Sequence, residues 1–171
     1  METKFTPWRM NYIKRDPALS EDDCVFCAIA DAPPDHDPEH LILYRGRQCF
    51  IVLNLYPYNT AHTMVIPYLH TADLAGLDAA TAQELFDLTR WCVTILQAEY
   101  QPHGFNLGMN LGRIAGAGIA EHLHMHIVPR WNGDTNFMPI VGTTKLIPEE
   151  LNATYARLRP HFTDKGVSAT F

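Results

Sequence analysis

The run His122-Leu-His124-Met-His126-Ile-Val128 carries the side chains of this sequence best suited to chemistry. In an extended chain successive side chains point to opposite faces. The three imidazoles would then share one face, with Leu123, Met125 and Ile127 on the other. A neutral imidazole offers one lone pair and one N–H. It can ligate a metal, pass a proton, or attack phosphorus and form a covalent intermediate that divides one displacement into two. A lone histidine is usually a packing or surface residue. Three at alternate positions would expose a row of imidazoles with no packing benefit, which points to function.

Residues just upstream favour phosphate as the target. Asn110, Gly112, Gly116 and Gly118 form a loop of small side chains, where backbone N–H groups can approach an anion closely. A metal-dependent enzyme using the three histidines as ligands would also need open coordination positions and usually a carboxylate. Glu121 is adjacent but alternates onto the opposite face. A non-catalytic nucleotide-binding module, its triad only holding phosphate, is a third reading. Metal chelation separates the metal enzyme from the others; stable nucleotide binding without turnover would mark the module.

A second constellation is Cys24-Val-Phe-Cys27, the C-x2-C half of a zinc site. A redox motif of this spacing would sit between strand and helix in a βαβ unit, a pattern this chain lacks. Cys49 and Cys92 lie in apolar stretches and read as buried, reduced packing residues. Four cysteines so distributed are not a disulfide framework.

The elements that must position these groups follow from periodicity. Ser20-Glu-Asp-Asp23 is a helix-start signal leading into Cys24–Ala30, and Asp31–Pro38 is a proline-rich breaker read as loop. Leu41–Arg45 and Gln48–Leu53 read as a hairpin, Tyr56–Asn59 as a turn, and His62–Pro67 as a third strand. From Asp73 to Tyr100 the period becomes helical, through Leu77, Leu85, Leu88, Trp91, Cys92, Ile95 and Leu96. Glu84, Asp87 and Arg90 form its solvated face. Phe105–Leu111 and Glu121–Arg130 read as strands. Trp131, Asn132 and Asp134 either shape a pocket or make simple turn chemistry. Pro148–Arg159 reads as a terminal helix. The sum is an α+β domain with a mainly antiparallel sheet.

Composition narrows the function classes. The chain has 171 residues and no evident repeat, which fits one domain with extended ends. A net charge of −6 without a basic stripe argues against nucleic acid as partner. No apolar run approaches a membrane span, and residues 1–5 lack the apolar stretch of a secretion signal, so a soluble cytoplasmic protein is expected.

His122–Val128, with Ala115-Gly116 upstream and Pro129-Arg130 downstream, resembles the histidine-triad (HIT) family of nucleotide hydrolases and transferases. The segments 106–113 and 129–137, together with Thr6–Tyr12 and Val52–Asn59, look most like bacterial diadenosine tetraphosphate phosphorylases. The resemblance implies a five-stranded antiparallel sheet flanked by one long and several shorter helices, usually in a homodimer. It also implies an N-terminal arm over 1–20, a histidine-triad domain over 21–135, and a C-terminal loop and helix extension over 136–171.

By that resemblance His124 would attack the α-phosphorus and carry the nucleotidyl group, and His126 would hold the phosphate. Asn54 matches a ribose contact, His62 a supporting histidine, and Asn110 and Gly112 the phosphate loop. Where many relatives carry Gln or Ser after the Ala-Gly pair, Ala117-Gly118 offers only backbone. His70 and His122 resemble the positions that complete a Cys2His2 zinc site with Cys24 and Cys27. His36 and His40, in the proline-rich stretch, are the alternative ligands. The implied substrate is a nucleotide or dinucleoside polyphosphate, with inorganic phosphate as acceptor in a phosphorylase and water in a hydrolase. A nucleoside phosphoramidase is the neighbouring possibility. No organic cofactor is implied.

Overall fold

The structure, a computed structural model, describes residues 24–134 and 147–162. The helix-start signal at 20–23 lies outside them. Helix α1 (Val25–Asp31) starts on Cys24, whose extended backbone makes it the residue preceding the first turn, and stops at Ala32 ahead of two prolines. Residues 31–38, expected to be loop, instead fold into a 3-10 turn, Pro34–His36, and a short helix α2, Asp37–His40. Proline bars the continuation of a helix but suits its first positions: Pro34 opens the 3-10 turn and Pro38 is the second residue of α2.

Strands β1 (Ile42–Arg45) and β2 (Cys49–Leu53) form the expected hairpin, with Arg45 opposite Phe50. Its turn is closed from outside. Glu84 of the long helix accepts the N–H groups of Arg47 (2.9 Å), Gln48 and Cys49 (2.9 Å). Glu84 is therefore not part of a solvated face, as its spacing implied; its charge neutralises three turn amides at once. A Cβ at Gly46 would lie 2.7 Å from the Cys49 carbonyl, so only glycine fits there.

After β3 (Thr63–Pro67) comes α3 (Ala79–Tyr100). The helix starts six residues later than its period suggested, because polar side chains capture the preceding backbone. Asp73 accepts the Ala75 N–H, and the Asp78 carboxylate accepts those of Ala80 (2.9 Å) and Thr81 (3.0 Å). Such an N-cap contributes about 1 kcal/mol. The helix ends at Gln101 in the left-handed region (φ 46°), ahead of Pro102. Leu85, Leu88, Trp91, Cys92, Ile95 and Leu96 are its buried stripe. Burying each of the larger of these contributes roughly 2 kcal/mol.

Strands β4 (Gly104–Gly108) and β5 (Met125–Arg130) complete one antiparallel five-stranded sheet of order β1-β2-β3-β5-β4. Helix α4 (Leu151–Leu158) and a 3-10 turn dock Leu158 and Phe162 into the core, where Phe162 meets Trp91 edge-on.

Strand β5 begins four residues later than expected. The pairing of β3 with β5 runs from Thr63↔Ile127 to Val65↔Met125, and continuing it two residues toward the N-terminus of β5 would set Leu123 against Pro67. Proline has no N–H for the ladder. The Leu123 N–H turns instead to the Thr71 carbonyl at 2.8 Å, and the Pro67 carbonyl is taken by the His122 ring. His122 and His124 thus precede the strand and only His126 lies within it.

Candidate active site and metal cluster

The three triad rings still line up. His122 and His124 both lie against Phe26 of α1, with ring centroids 5.5 and 5.2 Å from it, and the His124 and His126 rings are 4.8 Å apart. His122 and His124 are buried, and His126 is half-buried. Their protons can be assigned, because a carbonyl oxygen can only accept and a backbone N–H can only donate.

The His124 Nδ1 lies 2.8 Å from the His122 carbonyl, so Nδ1 carries the proton and Nε2 presents a lone pair. The Tyr58 N–H donates to His62 Nδ1 at 3.0 Å, which leaves the His62 proton on Nε2. That Nε2–H faces His126 Nδ1 at 2.9 Å, so His126 accepts there and carries its own proton on Nε2. One end of the row therefore offers a bare nitrogen and its neighbour an N–H. Burial, and then the nearby His124, push the His126 imidazole down to about 4. Burial also lowers His124, against the opposing effect of its hydrogen bond to the His122 carbonyl. Near neutral pH the row is uncharged, as a nucleophilic imidazole must be.

His122 is turned the other way. Its Nε2–H donates to the Pro67 carbonyl at 2.8 Å, which leaves Nδ1 bare. Nδ1 meets Cys24 Sγ at 3.2 Å and Cys27 Sγ at 3.6 Å, while Cys27 Sγ also meets His70 Nδ1 at 3.2 Å. The four ligand atoms of Cys24, Cys27, His70 and His122 all lie within 4.8 Å of one another. A tetrahedral zinc shell of sulfur and nitrogen has edges of about 3.5 Å, so the donors fit such an ion in number, type and spacing. Burial first, then the neighbouring Cys24 thiol, push Cys27 up to about 11, a cost that a cation among these donors would reverse. His36 and His40 are not in the cluster; His36 pairs with Glu39 at 3.0 Å.

The glycine loop follows β4, whose Gly108 pairs with His126, so it passes beside the triad. Gly112 and Gly116 have φ of 84° and 96°, which L side chains avoid; Gly118 does not share this. The loop spends two of its amides on itself, Gly116 N–H to Arg113 O (3.0 Å) and Ala117 N–H to Gly112 O (3.3 Å). Gly118 N–H has no partner among the described residues. Asn110 is half-buried next to Gly116. Across the site, the Asn54 Oδ1 accepts the Tyr56 N–H at 2.9 Å, and its Nδ2 lies 3.3 Å from His62 Nδ1.

Residues 36–133, more than half of the chain, match the HIT domain. The chain belongs to the HIT family. It is 42% identical over 159 residues, covering 90% of this chain and 80% of the relative, to a Mycobacterium tuberculosis protein named AP-4-A phosphorylase. Among solved structures it is similar to a Zn-bound histidine triad family protein from Mycobacterium smegmatis, with a TM-score of 0.64 and 27% identity, covering 81% of this chain and 92% of that one. A Bacillus anthracis HIT family protein aligns with a TM-score of 0.58 and 30% identity, covering 66% and 76%.

Within this HIT chain the structure gathers His122, His124, His126 and His62 into one row, and gathers Cys24, Cys27 and His70 at the His122 end of it. Several contributors were not singled out from sequence. Phe26 packs on both buried imidazoles, and Tyr58 acts through its backbone N–H, which no residue type signals. Asn59, seen only as part of a turn, is buried and bonds to Pro129 and Asp134. His103 and His161 lie outside the site and have partners of their own: His103 Nδ1 accepts the Asn132 N–H at 2.9 Å, and His161 pairs with Glu99 at 3.2 Å. No described helix is long and apolar enough to cross a membrane.

Proposed function

We propose that this HIT-family enzyme cleaves a dinucleoside polyphosphate of the diadenosine tetraphosphate type by transferring a nucleotidyl group to His124 and then to inorganic phosphate. The observation that carries this reading is the opposed pair of tautomers: a bare Nε2 on His124 beside an Nε2–H on His126. In the first step Nε2 of His124 attacks the α-phosphorus, a P–N bond forms, and the P–O bond to the departing nucleotide breaks. His126 donates to a phosphoryl oxygen as negative charge gathers there, backed by His62. The Gly118 amide, with Asn110 and the turns of Gly112 and Gly116, lines the same phosphate, and Asn54 meets the ribose. In the second step phosphate oxygen attacks phosphorus and the P–N bond breaks, which returns His124 to its starting form. The 42% identity to the AP-4-A phosphorylase supports both substrate and acceptor.

Cys24, Cys27, His70 and His122 hold a structural zinc ion. When bound, the ion supplies a closed tetrahedral anchor and no open position for chemistry. Because His122 then ligates through its ring and accepts the His124 proton through its carbonyl, the cluster holds the nucleophile in register.

The enzyme acts as a homodimer. Edge strand β4 leaves Leu107 exposed, and beside it Leu74, Leu77, Phe86, Met109 and Leu111 line an apolar groove of about 390 Å³ that a second copy would cover. Sedimentation at micromolar concentration checks this, and a monomer would refute it.

Products decide the reaction. Diadenosine tetraphosphate incubated with and without phosphate is expected to yield ADP and ATP only when phosphate is present. AMP and ATP formed without it would make the enzyme a hydrolase, and no product would overturn the substrate.

A further inference from the structure

We propose that Asn59 and Asp134 are positioning residues that keep the proton of His62 on Nε2, and thereby keep His126 a hydrogen-bond donor; the catalytic consequence rests on the function proposed above. Two donors reach His62 Nδ1, the Tyr58 N–H at 3.0 Å and the Asn54 amide Nδ2 at 3.3 Å, and both belong to the connection between β2 and β3. A proton on Nδ1 would set two donors face to face. That exclusion lasts only while the connection carrying both donors stays in place, and Tyr58, the nearer of them, is exposed.

Asn59 is the next residue and is only 6% exposed. Its amide Nδ2 donates to the Pro129 carbonyl at 2.9 Å and to Asp134 Oδ2 at 2.7 Å, which uses both hydrogens. Its carbonyl accepts the His62 N–H at 3.2 Å and closes the turn from 59 to 62. The connection is thus pinned through Asn59 to the far end of β5, 70 residues on, next to the contact that sets the tautomer.

Asp134 makes the pin rigid. Its carboxylate accepts four N–H groups: Arg130 Nε (2.6 Å) and Nη2 (2.8 Å), Trp131 N (3.1 Å) and Asn59 Nδ2. Arg130 Nη1 continues to Asn106 Oδ1 on β4 at 2.7 Å. These donors, Arg130 foremost, hold the Asp134 carboxyl far below the usual carboxylate range, so the clamp stays ionised throughout the working pH. A turn needing only local closure would stop at Trp131 and Arg130. The reach to buried Asn59 ties β4, β5 and the 54–62 connection into one unit. Asp134 therefore serves this positioning, beyond simple turn chemistry.

The test is nitrogen-15 NMR of the histidine rings in the full chain as purified, alongside turnover of diadenosine tetraphosphate. In the native protein His62 and His126 should show an unprotonated Nδ1 and a protonated Nε2, and His124 the reverse. Asp134→Asn and Asn59→Asp should shift His62 toward a mixture of tautomers. Turnover should fall roughly 10- to 100-fold with KM changed by less than about threefold, since a donor aimed at developing charge is lost. Arg130→Lys, which takes one donor from the carboxylate without removing it, serves if Asp134→Asn does not fold. Variants that keep the native His62 pattern would overturn the proposal, whatever their activity. A mixed His62 with unchanged turnover would overturn its catalytic half. Should the native protein cleave no dinucleoside polyphosphate, the function proposed above falls, and the ring nitrogens still decide the clamp.

Discussion

His122 and His124 stand two residues apart, touch the same phenylalanine and carry the same side chain, yet the fold gives them opposite protons. His122 spends its Nε2–H on the Pro67 carbonyl and turns Nδ1 to the cysteines. His124 spends its Nδ1–H on the His122 carbonyl and leaves Nε2 for chemistry. Which ring nitrogen meets a backbone carbonyl thus separates the proposed ligand from the proposed nucleophile. The two ends of the row are joined as well as distinguished, because His122 takes part in both: its ring meets the cysteines and its carbonyl holds His124.

The largest effect that could break this comparison is at His124. His124→Asn should abolish nucleotidyl transfer, a loss of about 10⁴-fold or more, with unfolding temperature and zinc content kept. A variant turning over near the native rate would end the nucleophile assignment. Next is the supporting histidine. His62→Gln should cost about 100-fold in turnover, in the range expected for one positioned acid–base partner, without changing metal content. Progress curves at saturating substrate measure this.

Cys24→Ser acts from the other end. Bound zinc, measured by metal analysis after gel filtration, should be largely lost. Turnover should fall only about tenfold, as for a partner one bond removed from the reacting group. Undiminished zinc would refute the cluster, and a loss as deep as that of His124→Asn would mean that the two ends are not distinct.

The smallest effect is on stability. The His126 imidazole is held below its ordinary value of 6.5, at about 4, so between those limits the unfolded chain binds a proton that the folded one refuses. Stability should therefore fall as pH drops from 6.5 toward 4 and flatten below it. The total is about 2 kcal/mol, given that the ring is only half-buried. Urea midpoints of metal-free native protein and His126→Asn, taken across that range, should show a shallower decline in the variant.

Much of this was legible in the residues. Alternation in 122–128 put three imidazoles in one row, C-x2-C announced two members of the Cys2His2 cluster, and the spacing from Leu85 to Leu96 matched a buried helical stripe. The start of β5 and the setting of Glu84 depart from expectation for one cause, a partner remote in sequence, whereas the late start of α3 is the work of the nearby Asp73 and Asp78. Strand β5 starts at Met125 because the continued register would set Leu123 against Pro67, which has no N–H to give, and Glu84 leaves the solvent face of α3 because three amides of a distant hairpin need a carboxylate. The proline-rich stretch folded because its prolines stand at the starts of turns, a distinction of one or two positions that composition does not carry.

What the sequence by itself determined is the inventory and its local geometry. Those properties follow from the period of the backbone, which depends on neighbours along the chain. What only the tertiary structure decided is where each proton sits. That choice turns on the Pro67 carbonyl facing His122, the Tyr58 N–H facing His62, and Asn59 reaching Pro129 and Asp134. An imidazole is nearly indifferent between its two tautomers until a donor or acceptor is set against one nitrogen, and those partners come from strands and turns far along the chain.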